Sequence, residues 1–279
     1  MWCILACGDK MPAVERNEAM RKNNALEIWK DGGVVINGWL HNPSSFSAEM
    51  MAHHDYDCLT IDLQHGMIDF QVAVTMLQAI STASPTPLAR VPHNDPAIIM
   101  KLLDAGAYGI ICPFVNTREE CERFVGACRY PPHGYRSNGP HRAVLYSGGG
   151  WSDYTEHANE MIAAIAMIES SEGLENVDAI LSVEGLNAVL IGTTDLAFSL
   201  GCSTTFGDID PQVRDAIEVI MATAKKYGCK VGTISPDGLG AKRAVQNGFD
   251  MVTPGTETSI MQAAVAGQIE IVRAGLNRA

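Results

Sequence analysis

The chain predicts an α/β fold, a (β/α)8 TIM barrel with an extra N-terminal helix. Three observations predict it. Eight short apolar runs recur along the sequence, mostly continuous rather than alternating with polar residues. Such runs suit parallel strands covered on both faces. Helical patterns separate them, and the series fills about 245 residues from Val34 onward, close to the ~250 typical of such a barrel. A doubly wound open sheet is the competing architecture. No Gly-x-Gly-x-x-Gly follows the first strand, which argues against a dinucleotide fold.

Residues 1–33 read as a leading segment and a barrel-floor helix, the helix lying in AVERNEAMRKNNALEIWKDGG; residues 34–279 read as one barrel domain. The first strand is VVINGWL from Val34, and the helix SSFSAEMMAHH after it opens on a serine cap. CLTIDL from Cys58 is the second strand, followed by FQVAVTMLQAI at helical spacing. PLARVP from Pro87 is the third; the helix NDPAIIMKLLDAGA after it starts on Asn-Asp-Pro and stops at Gly106. GIICPFV from Gly109 precedes the helix TREECERFVGACRY. The rhythm then breaks between Tyr130 and Met161, where a Pro-Pro pair, a Gly-Gly-Gly run, Trp151 and Tyr154 read as a long loop of the functional kind. IAAIAMIE from Ile162 resumes the series, with AVLIGTT from Ala188, KVGTIS from Lys230 and FDMVTPG from Phe249. The helices GLENVDAILSV, PQVRDAIEVIMATAKKYG, DGLGAKRAVQNG and SIMQAAVAGQIEIVRAGL complete it.

Thirty-two acidic residues against 20 Lys and Arg leave a net charge of -12. A nucleic-acid backbone or an anionic membrane would be repelled, so neither is expected as a partner. Small acidic substrates remain open if a metal or an arginine screens them. None of the eight cysteines forms a C-x-x-C pair, so free thiols in a reducing compartment are expected. The N-terminal apolar patch is too short for a secretory signal, and no run approaches the ~20 apolar residues of a membrane helix. The expected location is the cytoplasm.

Active residues of such a barrel stand at the C-terminal ends of strands. There the sequence places Asp62, Gln64 and His65 (second strand), Arg90 (third), Glu169 (fifth) and Asp195 (sixth). Neighbouring strands lie about 4.8 Å apart, so Glu169 and Asp195 at equal heights would share one cation such as Mg²⁺ or Mn²⁺. The alternative is that Glu169 caps the next helix and Asp195 opens a short one. Arg90, a lone charge in an apolar strand, needs an anion; that is a ligand, or an ion pair with Asp62 or Asp104. The histidines at 41, 53, 54, 93, 133, 141 and 157 show no metal-ligand spacing and read as surface or core. No lysine falls at the C-terminal end of a strand, and Lys230 starts one. Without a desolvated lysine in the site, metal-assisted chemistry on a carbonyl is favoured over a Schiff base.

The stretches IDLQHG, LARVPHNDP, LLDAGAYGIICPFVNTREE, RYPPHGYRS, MIESSEGLENVDAIL and GLNAVLIGTTDLAFSLG together resemble the HpcH/HpaI class II pyruvate aldolases. The resemblance spans nearly the whole chain from about Leu26. It implies a (β/α)8 barrel that cleaves 4-hydroxy-2-oxo acids to pyruvate and an aldehyde with a divalent metal (Mg, Mn or Co). It also implies a homo-oligomer, a hexamer built as a dimer of trimers whose last helix is exchanged between subunits. Glu169 and Asp195 match the metal ligands, His65 the general base and Arg90 the arginine that stabilises the enolate. Asp62 matches a strand-end acid, Asp104 an acid that raises the basicity of the histidine, and Gly192 and Thr194 the backbone site for the pyruvate carboxylate. Met167 stands where the family often has a substrate-contacting Gln, Thr193 where it has Pro, and Gln64 where Glu is common. Asp104 ends a helix running toward the floor, so its pairing with His65 is awkward within one chain, and contact from a neighbouring subunit would resolve it. Two other readings stand beside this one. A CoA-thioester lyase of the malyl- or citramalyl-CoA type is weakened by the lack of a basic cluster for nucleotide phosphates; the other is a non-catalytic binder of metal and oxo acid.

Overall fold

The computed structural model describes residues 20–203 and 209–276. Eight parallel strands close in sequence order: β1 (Val35–Leu40), β2 (Cys58–Asp62), β3 (Thr86–Arg90), β4 (Gly109–Cys112), β5 (Ala163–Ile168), β6 (Ala188–Ile191), β7 (Lys230–Ser235) and β8 (Met251–Pro254). Closure runs through Val35 beside Met251 and Ile36 beside Val252. Each strand lies in an apolar run expected to form one, β3 starting one residue sooner.

Every second strand residue points into the barrel. Val35, Trp39, Cys58, Leu88, Ile111, Ile165, Met167 and Leu190 form an interior cluster. The residues between them, such as Leu59, Ile61, Ala164 and Ile168, belong to a second cluster shared with the outer helices. Each large aliphatic side chain so buried stabilises the fold by about 1.5–3 kcal/mol. The inward rows continue upward into Asp62, Arg90 and Glu169, where apolar packing gives way to polar groups.

The helices are α1 (Asn24–Lys30), α2 (Ser45–Ala52), α3 (Phe70–Ile80), α4 (Pro96–Asp104), α5 (Arg118–Cys128), α6 (His141–Ser147) and α7 (Trp151–Met161). They continue with α8 (Ser171–Glu175), α9 (Val177–Leu181), α10 (Thr193–Ser199), α11 (Pro211–Tyr227), α12 (Gly238–Gln246) and α13 (Glu257–Ala274). None is long and apolar enough to cross a membrane.

Two expectations are corrected. The leading helix does not extend upstream through residues 20–23, and residues 13–19 of the expected span lie outside the described residues. Asn23 is extended, and its side-chain oxygen accepts from the N–H groups of Ala25 and Leu26. Its amide nitrogen donates to Tyr108 O (2.7 Å) and Met161 O (2.8 Å), so a capping asparagine sets the start. Ala25 and Trp29 of α1 join the interior cluster. The second correction concerns Tyr130–Met161, which is largely helical, as α6 and α7, rather than a loop. It also lies on the floor side. α5 descends to the floor and β5 begins there, so the connection stays there. Arg142 accordingly reaches Ala105 O and Leu77 O at the lower ends of α4 and α3.

α13 differs from the other helices. Only Glu257 in its first turn is buried. Ile260, Met261, Val265, Ile269 and Val272 are all more than 40% exposed.

Candidate active site

Asp62 ends β2 and is fully buried. Register places it beside Arg90, the last residue of β3. Six donors converge on this one carboxylate. Oδ1 accepts from Arg90 Nε (2.8 Å), Gln64 N (3.0 Å) and His65 N (3.2 Å). Oδ2 accepts from Arg90 Nη2, Trp39 Nε1 (3.1 Å) and His41 Nε2 (2.9 Å). Burial by itself pushes the carboxyl up. The hydrogen bonds from His41 and Arg90, the guanidinium charge and the Trp39 N–H outweigh it and hold Asp62 well below the usual carboxylate range. Of the anions open to Arg90 in the sequence, the structure selects Asp62. The Trp39 ring lies 4.9 Å from the guanidinium carbon, adding a cation–π face. Nη1 points to Met167 Sδ at 3.9 Å, within the interior.

Glu169 follows β5 and is 2% exposed. It does not cap α8, since Ser170 fills that position by accepting from Gly173 N. Its Oε1 accepts from Phe114 N at 2.8 Å. Phe114 reaches it from the end of β4 in a left-handed conformation (φ 48°), rare for a bulky residue and characteristic of functional sites. Burial pushes the Glu169 carboxyl up to about 7; the Phe114 N–H opposes the rise, the Asp195 charge adds to it, and Arg90 opposes it again. Asp195 sits in the first turn of α10, so it does open that helix, and its charge acts on Glu169. Gly192 lets the Glu169 side chain pack against the chain there: a Cβ would run into Glu169 Oε2. Its own N–H is spent on Ile168 O (3.2 Å). The first bond of α10 runs from Leu196 N to Gly192 O, leaving the N–H groups of Thr193, Thr194 and Asp195 outside the helical ladder.

A buried carboxyl raised by burial and by a second acid is short of positive charge even with Arg90 nearby, and a divalent cation fits it. Among the described residues no group of three or more His, Cys, Asp and Glu can hold a metal. Two acids suit Mg²⁺-like ions, whose other positions go to water and substrate oxygens. A cavity of about 560 Å³ opens beside the mouth, from Thr193 and Thr194 to Ser235 and between α11 and α12; Asp62, Arg90, Glu169 and Asp195 do not line it.

Asp62, Arg90, Met167, Glu169, Gly192, Thr194 and Asp195 thus gather at one end of the barrel. His65 joins them in the turn after β2, exposed, with no hydrogen bond to its ring among the described residues. Asp104 does not join them. It is the last residue of α4 and accepts from Arg136 Nη2 at 2.9 Å on the floor side. Sequence reasoning missed Trp39, Phe114 and His41. The inward period of β1 pointed to Trp39, whereas no local signal marked the other two.

The family model for HpcH/HpaI aldolase/citrate lyase matches residues 37–264. A hydroxypyruvate/pyruvate aldolase of Rhizorhabdus wittichii is 41% identical over 252 residues, covering 90% of this chain and 99% of the relative. A 5-keto-4-deoxy-D-glucarate aldolase of Citrobacter koseri is 34% identical over 233 residues, 83% of this chain and 89% of that one. Among solved structures, a HpcH/HpaI aldolase/citrate lyase family protein from Burkholderia cenocepacia superposes with a TM-score of 0.82 at 30% identity, covering 90% of this chain and 99% of that one. Citrate synthase SbnG does so at 0.79 and 28% identity, covering 90% and 97%.

Proposed function

The chain belongs to the HpcH/HpaI aldolase/citrate lyase family, and from that premise we propose that it is a class II pyruvate aldolase, a carbon–carbon lyase that cleaves and forms 4-hydroxy-2-oxo acids. Pyruvate and an aldehyde are its small-molecule partners. The observation that carries the reading is the buried Glu169 at the barrel mouth, whose carboxyl feels the charges of both Asp195 and the Asp62-held Arg90. Glu169 and Asp195 would hold a divalent cation (Mg²⁺, Mn²⁺ or Co²⁺), which would supply Lewis-acid polarisation of the 2-oxo group.

The chain's own residues do the rest. Arg90, clamped by Asp62, presents a fixed positive charge where the pyruvate enolate develops, the kind of preorganised charge that lowers such barriers most. The N–H groups of Thr193, Thr194 and Asp195, outside the helical ladder at the start of α10, would hold the pyruvate carboxylate beside Gly192. His65, whose ring is held by no neighbour, takes the proton of the 4-hydroxyl as the C3–C4 bond breaks. Asp62 has its lone pairs filled, so it orients Arg90 and the His65 turn rather than moving protons. Met167 gives the substrate an apolar wall where a polar contact is common.

Two further features belong to an assembly. The exposed apolar residues of α13 suit a helix exchanged between subunits of a homo-oligomer, a hexamer made as a dimer of trimers. Asp104, unable to reach His65 in its own chain, acts on a neighbour's site across the boundary. Six free cysteines among the described residues fit a reducing, cytoplasmic setting. The relatives named as aldolases favour this reading over the CoA-thioester lyase and over a non-catalytic binder. The test is pyruvate release from free 4-hydroxy-2-oxo acids and from CoA esters, with Mn²⁺ and with EDTA. Release from the free acids, stopped by EDTA, is expected; release from CoA esters alone, or undiminished release in EDTA, refutes it.

A further inference from the structure

His41, just past the end of β1, is held at three points. Its ring Nε2 lies 2.9 Å from Asp62 Oδ2, on the carboxylate oxygen that also takes Arg90 Nη2. Its ring Nδ1 lies 3.2 Å from Thr258 Oγ1. Its backbone N–H donates to Glu257 Oε1 at 2.8 Å, and that oxygen also accepts from Asn42 N at 2.6 Å. Both outer anchors come from the first turn of α13, more than 200 residues along the chain.

Donor and acceptor accounting orients the ring. Asp62 is held ionised and can only accept, so Nε2 carries the proton. The Thr258 hydroxyl pairs with Nδ1, and Thr256 Oγ1, 3.0 Å from Thr258 Oγ1, completes a chain from α13 to the carboxylate. The imidazole is 26% exposed, so this bracket is open toward the mouth.

We infer that His41 is a positioning residue of the proposed aldolase reaction, a bracket that fixes Asp62, and through it Arg90, to the start of α13. The inference rests on the aldolase reading and adds to it a residue that acts through Asp62 rather than on substrate. His41 differs in this from His65, whose ring is unheld. A group that orients Arg90 affects the enolate more than pyruvate binding, so its loss appears in kcat rather than KM.

The test compares wild type, His41→Ala, His41→Gln and Thr258→Val with Mn²⁺ present. Exchange of pyruvate methyl protons in D₂O and aldol cleavage are followed by NMR, alongside melting curves. Gln carries an N–H at the place of Nε2 and restores the donor without the imidazole. His41→Ala is expected to lower kcat roughly tenfold with KM changed less than threefold. His41→Gln is expected to recover most of that loss, and Thr258→Val to lose less than His41→Ala. Unchanged kcat in His41→Ala overturns the bracket, and so does His41→Gln as poor as His41→Ala, which would mean that the imidazole itself moves a proton. Absence of exchange in the wild type counts against the aldolase reading instead. The bracket is then judged in resting protein by solid-state ¹⁵N spectra of labelled histidine, where a hydrogen-bonded Nε2–H, assigned by its loss in His41→Gln and disturbed in Thr258→Val, supports it, and an unprotonated Nε2 overturns it.

Discussion

Two aspartate–arginine pairs stand at opposite ends of this barrel, and they differ in what surrounds them. At the mouth, Asp62 and Arg90 meet through two hydrogen bonds, and four more donors complete the carboxylate. At the floor, Asp104 and Arg136 meet through one bond, under the Tyr130 and Tyr154 rings, and Arg136 Nε and Nη1 have no hydrogen-bond partner among the described residues. The upper pair is satisfied, and its guanidinium charge acts on the buried Glu169. The lower pair leaves its arginine short of acceptors and its aspartate partly exposed. Residue type alone does not distinguish the two pairs; strand register sets the upper arginine beside Asp62, where its charge also acts on Glu169.

Several variants break or sharpen this contrast. The largest effect belongs to the acids: Glu169→Ala or Asp195→Ala is expected to lower metal-dependent kcat/KM by at least about 10³-fold. Steady-state pyruvate release across a Mn²⁺ titration measures it. Next comes Asp62→Asn, which replaces an acceptor-only group with an amide among six donors. It is expected to cost about 3–5 kcal/mol of stability, read by urea unfolding. Asp62 stays ionised far below its ordinary range, and a depressed carboxyl contributes stability above its unfolded pKa, so the deficit should persist from about pH 8 down to about pH 5.

Glu169 has the opposite sign. Its native carboxyl titrates at about 7 against an ordinary 4.5, so the unfolded chain gives up its proton first and metal-free protein loses stability as pH rises between those values. Metal-free Glu169→Gln should therefore exceed wild type by about 3 kcal/mol at pH 8 and match it near pH 4.5. Equal stability at both pH values would show that the acid is not buried as described. The smallest signal tests the floor pair. Asp104→Asn and His65→Ala proteins, unfolded and refolded together, should regain part of the activity each lacks if sites combine residues of two subunits; no recovery places Asp104 outside catalysis.

The strands were legible because parallel strands covered on both faces are continuous apolar runs, and the upper ends of their inward rows exposed Asp62, Arg90 and Glu169. What depended on distant partners was not. Asn23 stops α1 by capping it and by bonding to Tyr108 and Met161, contacts no local periodicity announces. The stretch after Tyr130 read as a loop because its Pro and Gly residues mask two helices. His41 read as an ordinary histidine, since its partners Asp62 and Thr258 meet it only after β1, β2 and α13 are assembled. Phe114 contributes a backbone N–H, which its side-chain identity cannot reveal.

Anomalous diffraction from crystals grown with Mn²⁺ and pyruvate bears most directly on the mouth. One manganese peak bonded to both Glu169 and Asp195, with pyruvate between it and Arg90, is expected. Manganese held by neither acid or by only one, or pyruvate bound away from Arg90, would contradict it.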